Sequence, residues 1–514
     1  MRKNWIILGS LLGGVFASLD VLSSIMNHQG FISYTGLLVS LAVAFLVYGV
    51  VLGILGRVCS VLFSSHEQRG QIVFLWVVLV LAISNSFSPM LSIFPRLSVA
   101  EKSAFTIVYC MFVGLTFLNV RFWYRRTVVF EKVSMIIWRN LAFLLIGISS
   151  LASFGALYMQ NNQSKSLDGD PPVFLISVRH WSANNYMNMS QLKSRLSKCD
   201  RYNQAVTPHT LEVPAYAALL SAKHPLHIPL WNNQQVPSRS LRTIEQIFSK
   251  ERYSTAAFVT DKHAASFGKR FHIYDSPTDS SFSLIHKLAL FRSFPSSVWG
   301  ERTGEDTWFR AMEFAQNNPE EAKFIWIQLD HDGDMTKLED LLSRGMMQIQ
   351  SDFDGARIAI VGTQGRGEGV SKDSLQVPMI FCSPTTKGEH FDGLVRTMDV
   401  MNTLLARVPI KTRSDVDGTD LFSLRKNTTF SGFNTIVLSQ SDFEKPNTEL
   451  AIYVATTGQK ELYKYIYEKD PSQEQLFSLH DDPMEADNIR EKKKSIVRQI
   501  RQQAESVWRA IGKE

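Results

Sequence analysis

The oil in the first third of this chain constrains it more than any other feature. Five apolar stretches, residues 5–26, 33–56, 71–94, 104–124 and 141–159, each run to about the twenty residues that a helix needs to cross a bilayer. The Met-Arg-Lys-Asn start and its apolar run have the form of a cleaved signal. Four further stretches follow, so the first reads as a retained anchor. Arg2, Lys3, Arg57, Arg69, Arg121, Arg125, Arg126 and Lys132 fall on one side of these spans, and only Arg96 and Lys102 on the other. The positive-inside bias then puts the N-terminus in the cytoplasm and everything beyond residue 160 outside. The expectation is a multi-pass protein of the plasma (inner) membrane with a periplasmic or extracellular C-terminal domain. Asp20 is an acid within the first span and so a functional candidate, but it lies toward the outer end, where reaching the interface costs little. The helices read as an anchor.

The formal net charge of +6 is partly these anchoring residues, so no nucleic-acid partner is expected. Four cysteines are too few for a disulfide framework. Cys59 and Cys110 lie in or beside spans, and Cys382, in the apolar run VPMIFCS, reads as a buried core residue.

Residues 161–171 are polar and run into Pro171 and Pro172, which marks a linker. Short apolar runs follow at 173–178, 255–260, 324–329, 356–362 and 377–382, separated by helix-length polar segments. Runs without alternation suit strands covered on both faces, hence an αβα sandwich with a mostly parallel sheet. Ligand sites in such sheets lie beyond the carboxyl ends of the strands, so the loops after residues 178, 329 and 362 are the places to search. Alternating segments between 430 and 480 predict a small antiparallel sheet, and the periodicity of 489–511 predicts a closing helix with a solvated basic face.

Individually the motifs are weak. GTQGRGEG at 362–369 lacks the lysine and hydroxyl of a phosphate loop, and Glu368 would repel phosphate. DHDGD at 330–334 fails calcium-loop spacing and reads as a solvated acidic loop. EVPAYAALLSAKHPLH, 212–227, is a helix that stability alone explains.

Together and in order, these pieces resemble the sulfatase branch of the alkaline phosphatase superfamily. VFLISVRHWSAN is similar to the opening strand of that family, the 212–227 stretch to its nucleophile helix, and YSTAAFVT to the strand that follows. AIVGTQG falls at the family's S-D-H-G turn, with VPMIFCSP after it and VRTMDVMNTLL resembling the next helix. EQLFSLHDDPMEADN is close to the signature E-L-Y-D-L-x-x-D-P-x-E-x-x-N. The resemblance spans about 172–510 and implies a sulfatase-like core (172–410) and a C-terminal subdomain (411–514), which follow the transmembrane region (1–160) and linker (161–171) read from hydropathy and composition. Five spans ahead of such a domain also resemble envelope phosphotransferases.

The family binds divalent cations through carboxylates, and the cation activates the nucleophile. Carried over residue by residue, Arg179 stands where the first strand delivers aspartate, with His180 beside it. Glu212 occupies the nucleophile position, and Thr363 and Gln364 replace the Asp-His of the turn. No metal or other cofactor is therefore expected. Arg179 and Glu212 are expected to pair across the vacated cavity, with Thr363 or Gln364 hydrogen-bonded beside them. Thr210 and His331 remain as candidate catalytic groups, and Lys262, His263 and His227 fall near segments that line the pocket in relatives. Two readings stay open. One is a pseudoenzyme binding an envelope glycan, lipid or protein partner. The other is an active sulfuric or phosphoric ester hydrolase or phospho-group transferase with a site remodelled around Thr210 and histidines.

Overall fold

The structure, a computed structural model, describes residues 2–26, 32, 34–62, 133–161, 169–276, 302–426, 434–438, 450–455 and 461–510, apart from positions 229, 231, 318–320, 332, 368, 409, 411–414 and 468–469. The chain forms two compact units, one containing residues 1–163 and the other residues 164–279 and 302–514.

In the first unit, helices Arg2–Met26, Tyr34–Leu62 and Val133–Asn161 pack together. A Cβ at Gly13 would sit 2.5 Å from the Tyr48 carbonyl oxygen, so only glycine lets the first two helices approach this closely. Asp20 is buried and accepts a hydrogen bond from the Tyr48 hydroxyl, and Ser149 Oγ donates to Ser18 Oγ at 2.6 Å. Asp20 thus faces a neighbouring helix. Among the described residues one helix, Gly36–Leu55, is long and apolar enough to cross a membrane; Ser10–Leu22 and Ala142–Tyr158 are shorter apolar segments. The expected five-helix region is therefore not supported: two of its stretches, 71–94 and 104–124, lie outside the described residues, and one of the rest meets the criterion.

The second unit is built on an eight-stranded sheet: β1 (Val173–Arg179), β2 (Asp200–Val206), β3 (Ser254–Val259), β4 (Ile273–Asp275), β5 (Lys323–Leu329), β6 (Arg357–Gln364), β7 (Met379–Cys382) and β8 (His390–Arg396). The spatial order is β4-β3-β5-β1-β6-β7-β2-β8, and only β7 runs against the others. The central strands are buried on both faces, as their unbroken apolar runs require. On one face Tyr216, from the Glu212–Ser221 helix, packs edge-on against Trp326 at 5.6 Å. On the other, Phe174 meets Phe353 and Phe258 meets Phe314, below helices Met335–Asp352 and Gly304–Gln316. These are the layers of an αβα sandwich. A smaller antiparallel sheet, ordered β12-β11-β10-β9, follows, with β9 (Asn434–Leu438), β10 (Leu450–Ala455), β11 (Leu462–Tyr467) and β12 (Gln475–Ser478). The amphipathic helix Lys494–Ala510 buries Ile500 and Ala504 in the same cluster as Ile452, Tyr465 and Leu476.

Cys382 is buried, as its apolar neighbours suggest, but it is not a free thiol: it forms a disulfide with Cys199, 183 residues away. β2 and β7 pair with Asp200 opposite Phe381, which brings the preceding and following cysteines within bonding reach. Strand order, not spacing along the chain, makes the bridge.

Candidate functional site

β1, β5 and β6 are neighbours running in parallel, so the loops after residues 178, 329 and 362 converge at one end of the sheet. β1 leaves the sheet with a register shift between Val178 and Arg179, and His180 adopts φ +58, a left-handed conformation uncommon for a residue with a side chain. At the carboxyl end of β1, Arg179 faces the first residue of the Glu212–Ser221 helix. Its Nε donates to Glu212 Oε1 at 2.8 Å and its Nη2 lies 2.6 Å from the same oxygen. Its Nη1 donates to Asp330 Oδ2 at 2.7 Å, just beyond β5. One guanidinium thus bridges two carboxylates from separate elements.

Burial alone would push the Glu212 carboxyl up. Arg179, the Asn233 side-chain amide and the residue's own backbone N–H outweigh it, and the group lies below its ordinary value. Burial likewise opposes the Arg179 charge, but Glu212, Asp330 and Asp261 raise the guanidinium above its ordinary value. His180 is pushed down, first by burial and then by Arg179, which keeps its ring neutral near pH 7. Behind the pair, buried Asp261 accepts from Tyr216 Oη at 3.0 Å and from the His263 backbone N–H at 2.9 Å. The His263 ring meets the same carboxylate at 2.9 Å.

The predicted Arg179–Glu212 pair forms, but the hydrogen bond expected beside it does not. Thr363 Oγ1 turns back to the Val178 carbonyl at 3.4 Å. Gln364 is 2% exposed, and neither its Oε1 nor its Nε2 has a hydrogen-bond partner among the described residues. The alternation of β6 sends these two neighbours to opposite sides, which a reading of the turn as one unit does not foresee.

A cavity of about 540 Å³ opens here, with His180, Thr210, Leu211, Glu212, Gln364 and Arg366 among its lining residues. The glycines of the loop have packing causes. A Cβ at Gly365 would lie 1.7 Å from the Asp373 carbonyl oxygen, and one at Gly362 2.5 Å from that of Trp181. His331 lies beside the site, its Nδ1 accepting from the Gly333 N–H at 3.1 Å and its Nε2 meeting the His180 carbonyl at 3.1 Å. Both ring nitrogens are engaged with backbone. His227 pairs with Asp417 at 2.7 Å and Lys262 is exposed; neither is among the residues lining the cavity.

Asp330, Asp261 and Asn233 complete the charge network, and the sequence reading missed all three as site residues. Asp330 was accessible to it, as the residue directly after a strand whose loop was singled out. Nothing local marks Asn233.

These residues do not fit a divalent cation. Such an ion needs anionic or imidazole donors converging on empty space, whereas here the Arg179 guanidinium sits between the carboxylates and would repel it. Among the described residues, no group of three or more His, Cys, Asp or Glu side chains is placed to hold a metal.

Residues 369–510 match the family model described as N-sulphoglucosamine sulphohydrolase, C-terminal. No curated protein matches the chain. Among solved structures, a 2-O GAG sulfatase aligns with a TM-score of 0.52 and 14% identity, over 67% of this chain and 93% of its own. The protein i-CgsB, solved in complex with k-i-k-neocarrahexaose, gives 0.53 and 15%, over 66% and 93%. The phosphonate monoester hydrolase of Agrobacterium radiobacter gives 0.51 and 11%, over 66% and 96%. With its mostly parallel eight-stranded sheet and small C-terminal antiparallel sheet, the chain shares the fold of these solved sulfatases, and its C-terminal segment matches a sulphohydrolase family model.

Proposed function

We propose that this chain is a membrane-anchored, extracytoplasmic pseudoenzyme, a sulfatase-like domain that binds an envelope component without turning it over. The Arg179 guanidinium carries the reading: held between Glu212 and Asp330, it supplies in covalent form the positive charge that metal-dependent relatives take from a cation. Glu212 is held by Arg179 and Asn233, which suits a fixed counter-charge better than a nucleophile. The Cys199–Cys382 disulfide supports an oxidising compartment. The apolar Gly36–Leu55 helix supports an anchor. Glycans are favoured as ligands because one similar structure is named a GAG sulfatase and another holds neocarrahexaose.

The test is elemental analysis of the full-length chain purified in detergent, with 4-nitrophenyl sulfate and phosphate as probe esters. The expected result is no stoichiometric divalent ion and no ester release above a boiled control. A bound ion at one per chain, or turnover abolished by Thr210→Val, would establish the active reading instead.

A further inference from the structure

The two arginines of the site stand differently. Arg179 is committed to Glu212 and Asp330. Arg366 also lines the cavity, but it is exposed and forms no hydrogen bond or ion pair among the described residues. Its guanidinium is nevertheless seated. It lies over Gly333, in the loop after β5, where a Cβ would come within 2.6 Å of Arg366 Nη1. Gly333 also has φ +101, so the loop passes beneath the arginine in a shape that a side chain would obstruct. The backbone of Arg366 is fixed from both sides. A Cβ at Gly365 would collide with the Asp373 carbonyl oxygen, and one at Gly367 with Ser371 Oγ and the Ser374 backbone nitrogen. The Gly365 N–H donates to the Ser374 carbonyl at 2.9 Å. Residues 365–367 therefore pack down on 371–374 and carry a single side chain, that of Arg366. An arginine held on a fixed loop at a cavity, with no protein partner, points to a ligand. Ordering it in advance lowers the entropy cost of binding.

The surroundings limit that ligand to one negative charge. His180 supplies no second cation, because burial first, then Arg179 and also Arg366, keep its ring neutral near pH 7. Glu212 lines the same cavity with its own charge met by Arg179. One free guanidinium balances one charge, and a second would lie near Glu212 without a partner. A guanidinium fork pairs bidentately with carboxylates and with phosphates. A phosphate monoester carries about two charges near neutral pH and exceeds that balance. A sulfate monoester carries one, but its oxygens are much weaker bases and accept hydrogen bonds less strongly. A carboxylate meets both conditions. A volume of about 540 Å³ falls within the range of small-ligand sites.

We infer that Arg366 is the specificity-determining residue of this cavity, and that the ligand it takes is an acidic saccharide, a sugar bearing a carboxylate. The inference rests on the binding role proposed above and narrows the glycan proposed there to one containing a uronate.

The experiment is titration calorimetry on the full chain in detergent, with oligosaccharides of galacturonic acid and of unsulfated hyaluronan, and with the carboxyl methyl esters of both. Galactose oligosaccharides carrying O-sulfate or O-phosphate complete the set. At least one uronate should bind, and its methyl ester at least about tenfold more weakly, because a charge-assisted bond is lost. Arg366→Gln should bring the acid down to the level of its ester. Arg366→Lys, which keeps the charge without the fork, should fall between. Arg366 is exposed and makes no bond among the described residues, so Arg366→Gln should leave Tm unchanged. Equal binding of acid and methyl ester, which needs no variant, would overturn the inference. So would no binding by any uronate below about 1 mM, tighter binding of the sulfated or phosphorylated forms, or uronate binding unaffected by Arg366→Gln. Metal content and ester release, measured on the same sample, report separately on the pseudoenzyme reading.

Discussion

Arg179 and Glu212, 33 residues apart, meet with Nε–Oε1 at 2.8 Å, and the same guanidinium reaches on to Asp330. The pair joins the end of the first strand to the start of the helix that crosses the sheet. Glu212 also suits its place at the helix N-terminus, where the dipole favours negative charge.

Removing one member should cost more than removing both. Arg179→Met leaves Glu212 and Asp330 without their shared counter-charge, and a broken buried pair typically costs about 3–5 kcal/mol. The expected loss lies toward the lower end, because the Arg179 side chain keeps 21% exposure and water reaches it. The double variant Arg179→Met with Glu212→Gln should recover part of that loss, read as a double-mutant cycle in urea melts. The pH dependence has a definite sign. The folded Glu212 carboxyl lies below its ordinary 4.5, so its contribution is fully present above that value and is lost as pH falls through the lower folded one. Glu212→Gln should flatten the stability profile in that acid window.

His209 provides an independent pH test. Its ring is fully buried, Nδ1 accepts the Leu211 N–H at 3.0 Å, and burial, followed by His224, pushes it down to about 3. The unfolded chain takes up a proton near the ordinary 6.5 while the folded chain does not. Stability is therefore full above that value and falls as pH drops from 6.5 toward about 3. The slope from this one residue approaches about 1.4 kcal/mol per pH unit. His209→Asn, which retains an acceptor for Leu211, should remove the part of the slope between about 4.5 and 6.5, above the window in which Glu212 acts. Chemical denaturation at stepped pH measures it.

The disulfide closes a loop of 183 residues and ties β2 to β7 near the edge of the sheet. Cys199→Ser with Cys382→Ser should lower stability by about 2–5 kcal/mol, the usual range for a native bridge. Thiol titration of the unfolded wild-type chain should find two fewer free thiols before reduction than after. Four free thiols before reduction would show that the bridge does not form.

The sequence by itself determined the layers and the depth of the site. Short unbroken apolar runs between polar helix-length segments suit strands covered on both faces, and parallel strands bring their carboxyl ends to one edge. The order of the motifs, through the resemblance it carries, then placed Arg179, Glu212 and Gln364 at one site. The tertiary structure decided which partners those residues take. Asp330 reaches Arg179 across 151 positions and Asn233 reaches Glu212 across 21, distances over which no periodicity carries information. Cys199 finds Cys382 because β2 inserts between β7 and β8, an order set by packing of the whole sheet. Whether Thr363 or Gln364 faces the cavity depends on the strand's register, which is fixed by non-local pairing with β1.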